Sequence, residues 1–171
     1  LAAAVLAAFT FAAPAAAQQP IVIKFSHVVA VNTPKGMGAD KFKQLAEERT
    51  KGRVKVEVYP NSSLFKDGEE MEALQLGSVH LLAPSLAKFG PLGVRDFEVF
   101  DLPYMFDSTA ELHKVTEGPV GAALFRKLES KGITGLAFWD NGFKMMSANK
   151  PIRVPADYKG WPKFLSAVQR P

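Results

Sequence analysis

The sequence contains no cysteine among its 171 residues. Disulfide bonds and thiolate metal sites are therefore excluded, and the fold must rest on a hydrophobic core. Lysine and arginine are scattered along the chain rather than clustered, although the net charge is +4. Nucleic-acid binding needs a clustered basic face, so we predict no nucleic-acid partner. A content of 47% hydrophobic and 22% charged residues is typical of a globular protein.

Patterns of the common enzyme classes are also missing. No serine nucleophile elbow is present, and Gly36-Met37-Gly38 lacks the third glycine of a dinucleotide-binding fingerprint because Lys41 stands there. The three histidines, His27, His80 and His113, are far apart, and none is spaced with an acidic residue as metal ligands are. We therefore predict no catalytic residue, no metal and no cofactor.

Residues 1–17 form an uncharged run, rich in alanine, that ends in Ala15-Ala16-Ala17 before Gln18. An apolar segment of this length followed by small residues is typical of a secretory signal and its cleavage site. A membrane anchor is the alternative, but a span needs about 20 apolar residues and Pro14 interrupts this run. We predict a signal peptide at 1–17 without its basic n-region, and export to the periplasm.

The rest of the chain alternates between strand and helix patterns. The segment 21–29 is rich in β-branched and aromatic residues, as in a strand buried on both faces of a parallel sheet. Residues 54–59 alternate between valine and polar or aromatic residues, and 79–83 and 133–139 are short apolar strands, with another possible at 144–148. This order predicts an α/β fold with a parallel sheet.

Helix signals lie between these strands. Thr33-Pro34 predicts a helix start, and Lys51-Gly52 predicts its end. Asp67 with Glu70 resembles a capping box that opens a second helix, which Gly77 closes. Another capping box at 108–111 opens a helix that is interrupted near 118–119 and resumes to 132.

Three loops are predicted to meet at the carboxyl edge of the sheet. The helix start at 35–37 offers free backbone N–H groups to an anion, and Lys35 adds a full charge, although an ordinary capped helix would show the same pattern. Ser85 follows the third strand, while Trp139 and Asn141 follow the last. Ligands of open α/β sheets bind at this edge, so we predict a shared cleft.

Six motifs between about 21 and 160 carry a family likeness: Phe25-Ser26-His27-Val28, Tyr59-Pro60-Asn61-Ser62-Ser63-Leu64, Glu72-Ala73-Leu74-Gln75-Leu76-Gly77, Asp101-Leu102-Pro103-Tyr104-Met105-Phe106, the segment from Asn141-Gly142 to Ser147-Ala148-Asn149, and Pro155-Ala156-Asp157-Tyr158-Lys159-Gly160. In this order and spacing they resemble the periplasmic binding subunit of TRAP transporters. The segments 32–36 and 83–89 are most similar to its C4-dicarboxylate branch, DctP.

The resemblance implies a class II periplasmic-binding-protein-like fold, which holds an organic acid between two α/β lobes and delivers it to a membrane permease. The first lobe would be 18–140, and 141–171 would be the crossover and the start of the second. The resemblance implies that the ligand-binding residues are His27, Asn32, Lys35, Ser85, Trp139, Asn141 and Lys144. Lys144 stands where many relatives have an arginine, and it offers charge without the planar fork.

The sequence departs from the family after Gly160. The family continues there with a strand that holds a ligand-clamping arginine, whereas this chain has 161–171, in which Arg170 does not occupy that position. About half of the family's chain, including most of the second lobe, is not in the sequence. We expect a truncated or frameshifted chain that does not perform the family function by itself. A periplasmic ligand-sensing domain, or an enzyme on a similar scaffold, is the alternative.

Overall fold

The computed structural model describes residues 19–102, 104–140, 142, 144–146, 151–158 and 167–169. The strands are β1 Ile21–Ser26, β2 Val54–Tyr59, β3 Leu81–Leu82, β4 Lys144–Met146 and β5 Ala167–Gln169. The α-helices are α1 Pro34–Arg49, α2 Glu70–Gln75, α3 Thr109–Thr116 and α4 Pro119–Glu129. Short 3₁₀ helices span Leu86–Phe89, Arg95–Asp101 and Pro155–Tyr158. No described helix is long and apolar enough to cross a membrane.

β1 is the central strand of a three-stranded parallel sheet with the order β2-β1-β3. It pairs with β2 over its full length, from Ile21 opposite Val54 to Ser26 opposite Tyr59. Its pairing with β3 is confined to its last two residues. Because all three strands are parallel, the loops that follow them leave the sheet at one edge. β4 and β5 form a separate antiparallel pair.

α1 begins where the sequence predicts. The Thr33 hydroxyl accepts a hydrogen bond from the Gly36 amide at 3.2 Å and donates one to Ala30 O at 2.6 Å. Pro34 occupies the first turn, where its missing N–H costs nothing. A Cβ atom on Gly36 would lie 2.4 Å from Ala30 O, so the loop after β1 closes tightly on this glycine. The predicted stop is confirmed too, since the helix ends at Arg49.

Two hydrophobic clusters cover the two faces of the sheet. The first joins the sheet to α1 through Phe25, Ala39 and Val56. Leu81 of β3 packs with this cluster and Leu82 with the other, because successive strand residues point to opposite faces. The second is larger and lies among α2, α4 and the 3₁₀ helices: Met71, Phe89, Val94, Phe97, Leu124, Leu128 and Ile133. The predicted α/β architecture is therefore confirmed.

The capping box predicted at Asp67 and Glu70 is wrong. α2 begins at Glu70, and its N-cap residue makes no side-chain capping bond. Asp67 instead forms an ion pair with Lys88, and the Glu70 side chain turns into the protein, where only 1% of the residue is exposed. Tertiary burial overrides the local capping pattern here. The second capping box is confirmed, since the Ser108 hydroxyl accepts from the Glu111 amide at 3.2 Å.

The strand predicted at 79–83 is shorter than expected. The His80 amide donates to Lys24 O at 3.0 Å, but the Lys24 amide donates to His80 Nδ1, at 2.9 Å, rather than to a backbone carbonyl. The His80 imidazole therefore replaces the backbone carbonyl that would accept from the Lys24 amide, and regular strand pairing starts at Leu81. The strand at 144–148 is observed as β4, Lys144–Met146, and 147–148 lie outside the described residues.

The strand predicted at 133–139 is wrong. Its first amide, that of Ile133, bonds to Leu128 O at the end of α4, and the described sheet has no ladder partner for the segment. Side chains hold it instead. Phe138 stacks on Phe125 with ring centroids 4.4 Å apart, and Gly135 leaves the room that the Phe125 ring occupies. Apolar composition alone did not distinguish a strand from a packed extended segment.

Candidate anion-binding site

Lys35 links two loops at the carboxyl edge of the sheet. It stands in the first turn of α1, directly after the loop that follows β1, and its Nζ donates a hydrogen bond to Ala83 O at 3.0 Å. Ala83 is the residue after β3, and the exposed Ser85 comes two residues later. The structure therefore brings the Lys35 ammonium beside the segment that carries Ser85.

The Lys35 ammonium is a partly buried cation. Burial lowers the pKa of Lys35 from its ordinary value, and the negative charges of Glu70 and Asp67 act against that shift by raising the pKa. No carboxylate in the described part of the chain makes a direct ion pair with it. A half-desolvated ammonium without a paired carboxylate is suited to meet the carboxylate of a ligand.

His27 follows β1 immediately, and only 1% of the residue is exposed. Burial is the main cause that lowers its pKa, and the positive charge of Lys35 adds to it. A contact with the Val29 backbone and the charge of Asp40 act in the opposite direction by raising the pKa. Neither imidazole nitrogen makes a hydrogen bond of normal geometry to a described residue. A neutral imidazole at pH 7 can donate one N–H to an anion.

Trp139 lies against α1 near this edge. Its ring centroid is 6.0 Å from that of Phe25, and the nearest indole carbon would be 3.4 Å from a Cβ atom on Gly38. The indole is 41% exposed, so one part packs on the helix while another faces outward. Trp139 therefore packs on the same helix, α1, whose first turn carries Lys35.

The remaining predicted residues are placed less fully. Asn32 is exposed in the loop between β1 and α1. Asn141 lies outside the described residues. Lys144 begins β4, whose backbone alone is described. The structure thus brings Lys35 to the segment of Ser85 and sets His27 and Trp139 at the same end of the sheet.

Glu70 and Ser26 are buried polar residues near this site that the sequence analysis missed. Glu70 Oε2 and the Ser26 hydroxyl have no hydrogen-bond partner among the residues described. Burial, together with the charge of Asp67, raises the pKa of Glu70 to about 7, against the opposing charges of Lys35 and Lys88. Helical spacing could have revealed Glu70, because it shares a face of α2 with Ala73 and Leu74.

Metal binding has no obvious place at this edge. Within the described ranges, no three histidine, cysteine, aspartate or glutamate side chains are grouped to hold a metal ion. The Lys35 ammonium is the cation at this edge, and the negative charges of Glu70 and Asp67 act on it without a direct ion pair among the described residues. Such an ammonium favours an organic anion as its ligand.

Comparisons with known proteins agree with this chemistry. Residues 25–164 match the model of the family described as bacterial extracellular solute-binding protein, family 7, DctP. The chain is 70% identical over 142 residues to the C4-dicarboxylate-binding periplasmic protein DctP of Rhodobacter capsulatus, covering 83% of this chain and 43% of that protein. It is 48% identical over 144 residues to the C4-dicarboxylate-binding protein DctB of Bacillus subtilis, covering 84% of this chain and 41% of that protein.

Solved structures give the same result for the fold. A TRAP periplasmic solute-binding protein from Pseudomonas aeruginosa with bound L-malate superposes with a TM-score of 0.79 at 51% identity, covering 82% of this chain and 49% of that one. One from Sulfurospirillum deleyianum with bound succinate gives 0.77 at 48% identity, covering 82% and 45%. The predicted fold class is thereby confirmed.

The chain spans less than half the length of these relatives. The match nevertheless covers 25–164, which includes the last two residues of β1, all of α1 and β2, and the loops at this edge of the sheet. The family consists of solute-binding proteins rather than enzymes. The chain belongs to the DctP family of bacterial extracellular solute-binding proteins.

Proposed function

We propose that this chain carries the ligand-holding first lobe of a TRAP transporter binding protein that captures a C4-dicarboxylate such as succinate or malate. The observation that carries the proposal is the Lys35 ammonium, which is held at the carboxyl edge of a parallel sheet by Ala83 O and has no direct carboxylate partner among the described residues. The malate and succinate bound to two structural relatives support this ligand class.

The residues at this edge would each make a different contact with a bound dicarboxylate. Lys35 would meet one carboxylate as a charge-assisted donor, with the neutral His27 ring and the Ser85 hydroxyl as further donors. Asn32 and Asn141 would add amide contacts, and Trp139 would keep water away from the bound acid. Lys144 would offer the second carboxylate a point charge, without the bidentate geometry of an arginine.

The same proposal covers export and partners. Residues 1–17 would be a signal peptide, 18–140 the first lobe, and 141–171 the crossover into a second lobe. The ligand would pass from the periplasm to the membrane permease of a TRAP transporter. Amino-terminal sequencing of the exported protein should give a start near Gln18, and recovery of only an uncleaved, membrane-bound form would contradict the signal peptide.

Calorimetry on a hybrid protein tests the site. The hybrid joins this chain, up to Gly160, to the following residues of the Rhodobacter capsulatus relative, and it is titrated with succinate, malate and fumarate. Lys35→Met should weaken binding by roughly 10- to 100-fold, the effect of losing a hydrogen bond to a charged group. Lys41→Met is the matched control, since Lys41 is an exposed lysine of α1 whose Nζ donates to the Gln44 side chain. Equal affinity of the two variants would show that the site is misplaced.

A further inference from the structure

Glu70 is a buried carboxylate whose position neither helix capping nor core packing explains. Only 1% of the residue is exposed, and Oε2 has no hydrogen-bond partner among the described residues. A buried carboxylate with an oxygen that accepts no hydrogen bond is costly to ionise, and an alanine or leucine would fill this face of α2 at a lower cost. The residue therefore points to a role that requires its charge.

The charges of three residues on the surrounding elements act on Glu70. Lys35 comes from α1, Asp67 from the loop before α2, and Lys88 from the 3₁₀ helix Leu86–Phe89. Lys88 is already engaged, because it forms an ion pair with Asp67. Lys35 forms no such ion pair with a described residue, since its Nζ donates to the backbone carbonyl of Ala83. Glu70 and Lys35 thus act on each other through their charges, and neither forms an ion pair with another described residue.

We propose that Glu70 is the buried counter-charge of Lys35 and a positioning residue of the anion site, which sets the net charge that a ligand meets. With Glu70 ionised, its charge offsets that of the ammonium. With Glu70 protonated, the site presents the full charge of Lys35. Protonation of Glu70 removes the negative charge that would repel an anion bound at Lys35. A bound anion in turn raises the proton affinity of Glu70, so the two binding events favour each other. The ligand part of this inference rests on the proposed function, whereas the coupling of the two side chains does not.

NMR titration of the whole chain without ligand tests the coupling. The Lys35 ammonium is followed through its side-chain ¹³C and ¹⁵N shifts in the wild type, in Glu70→Gln and in Glu72→Gln, an exposed carboxylate on the same helix. Glu70→Gln should move the Lys35 titration midpoint to lower pH, since the charge that favours the ammonium is lost, while Glu72→Gln should leave it in place. Identical midpoints in the two variants would overturn the inference.

The reciprocal measurement guards against a Glu70→Gln chain that does not fold. Lys35→Met changes a partly exposed side chain, and the carboxyl ¹³C shift of Glu70 is then the readout. The Glu70 midpoint should move to higher pH in this variant and stay unchanged in Lys41→Met. A Glu70 carboxyl that titrates like an exposed one, or that ignores Lys35→Met, would contradict the proposal.

Succinate added to the same samples separates this inference from the proposed function. Where succinate shifts the Lys35 signals, its affinity for the wild type should increase several-fold between pH 8 and pH 6, and the affinity for Glu70→Gln should change less. Equal pH dependence of the two would overturn the role of Glu70 in the anion site. Succinate that leaves Lys35 unaffected while the ligand-free coupling is intact would count against the proposed function alone.

Discussion

The indole of Trp139 lies on Gly38 of α1, with its nearest carbon 3.4 Å from the point where a Cβ atom would stand. Two residues earlier, Gly36 is enclosed by the carbonyl oxygens of Ala30 and Val31. The two glycines thus serve different contacts. Gly36 lets the loop after β1 close on the helix, whereas Gly38 lets an aromatic side chain lie on it.

Alanine substitutions should distinguish these contacts. Gly36→Ala would place Cβ 2.4 and 2.7 Å from two backbone oxygens, so we expect a loss of about 1–3 kcal/mol in the free energy of unfolding. Gly38→Ala makes an ordinary contact with a ring and gains up to about 1 kcal/mol of helix propensity, so it should be neutral or stabilising. Urea unfolding of both variants gives the comparison. Equal effects would show that the loop is not tight at Gly36.

Local signals in the sequence correctly predicted the start and the end of α1 and the strand β2. The Thr33-Pro34 cap, the stop at Lys51-Gly52 and the alternation of 54–59 each depend on residues close in the chain, and each is observed. The parallel order of the strands likewise brings the loops after β1 and β3 to one edge, where Lys35 bonds to Ala83 O. These features needed no knowledge of distant contacts.

Features that depend on distant contacts were not predictable in this way. The burial of Glu70 and the shortening of β3 by the His80 side chain both arise between residues far apart in sequence. The segment 133–139 carries the composition of a strand, yet aromatic packing against Phe125 determines its conformation. Local patterns report propensity, and tertiary packing decides among the conformations that they allow.

The pH dependence of stability should reveal Glu70. Its folded-state pKa of about 7 lies above the ordinary 4.5, so the folded chain binds more protons than the unfolded chain between these values. This contribution to stability is complete below about pH 4.5 and is lost as the pH rises through 7. Its upper bound is about 3–4 kcal/mol.

Glu70→Gln should remove the loss of stability that the ionisation of Glu70 causes as the pH rises. Relative to the wild type, we expect the variant to gain stability as the pH rises from 4.5 to 8, because its side chain does not ionise. Glu72→Gln, on the exposed side of the same helix, should show no such gain. Chemical unfolding at several pH values measures the differences. A constant difference between Glu70→Gln and the wild type would mean that Glu70 is not buried as described.

His27 should have the opposite pH dependence. Burial lowers its folded-state pKa below 6.5, so the stability that the neutral ring contributes is present above pH 6.5 and is lost as the pH falls through the folded-state pKa. His27→Leu should therefore lose less stability than the wild type on acidification. His113→Leu is the control, because His113 is half-exposed beside Asp140. Parallel acid unfolding curves for the wild type and His27→Leu would contradict the burial of this ring.

Dicarboxylate affinity should differ sharply between the 171-residue chain and the hybrid described above. Tight capture needs charge-assisted contacts from two lobes and the exclusion of water between them. The chain supplies Lys35, His27 and Ser85 at one edge, and it spans 43% of the length of the Rhodobacter capsulatus relative. Losing a buried charge-paired contact costs about 2–5 kcal/mol, which is roughly 30- to 5,000-fold in affinity.

We therefore expect micromolar or tighter binding of succinate or malate by the hybrid, and binding at least roughly 30-fold weaker for the chain alone. Calorimetry of both proteins decides the matter, and micromolar binding by the chain alone would show that the first lobe holds its ligand without a clamp from a second.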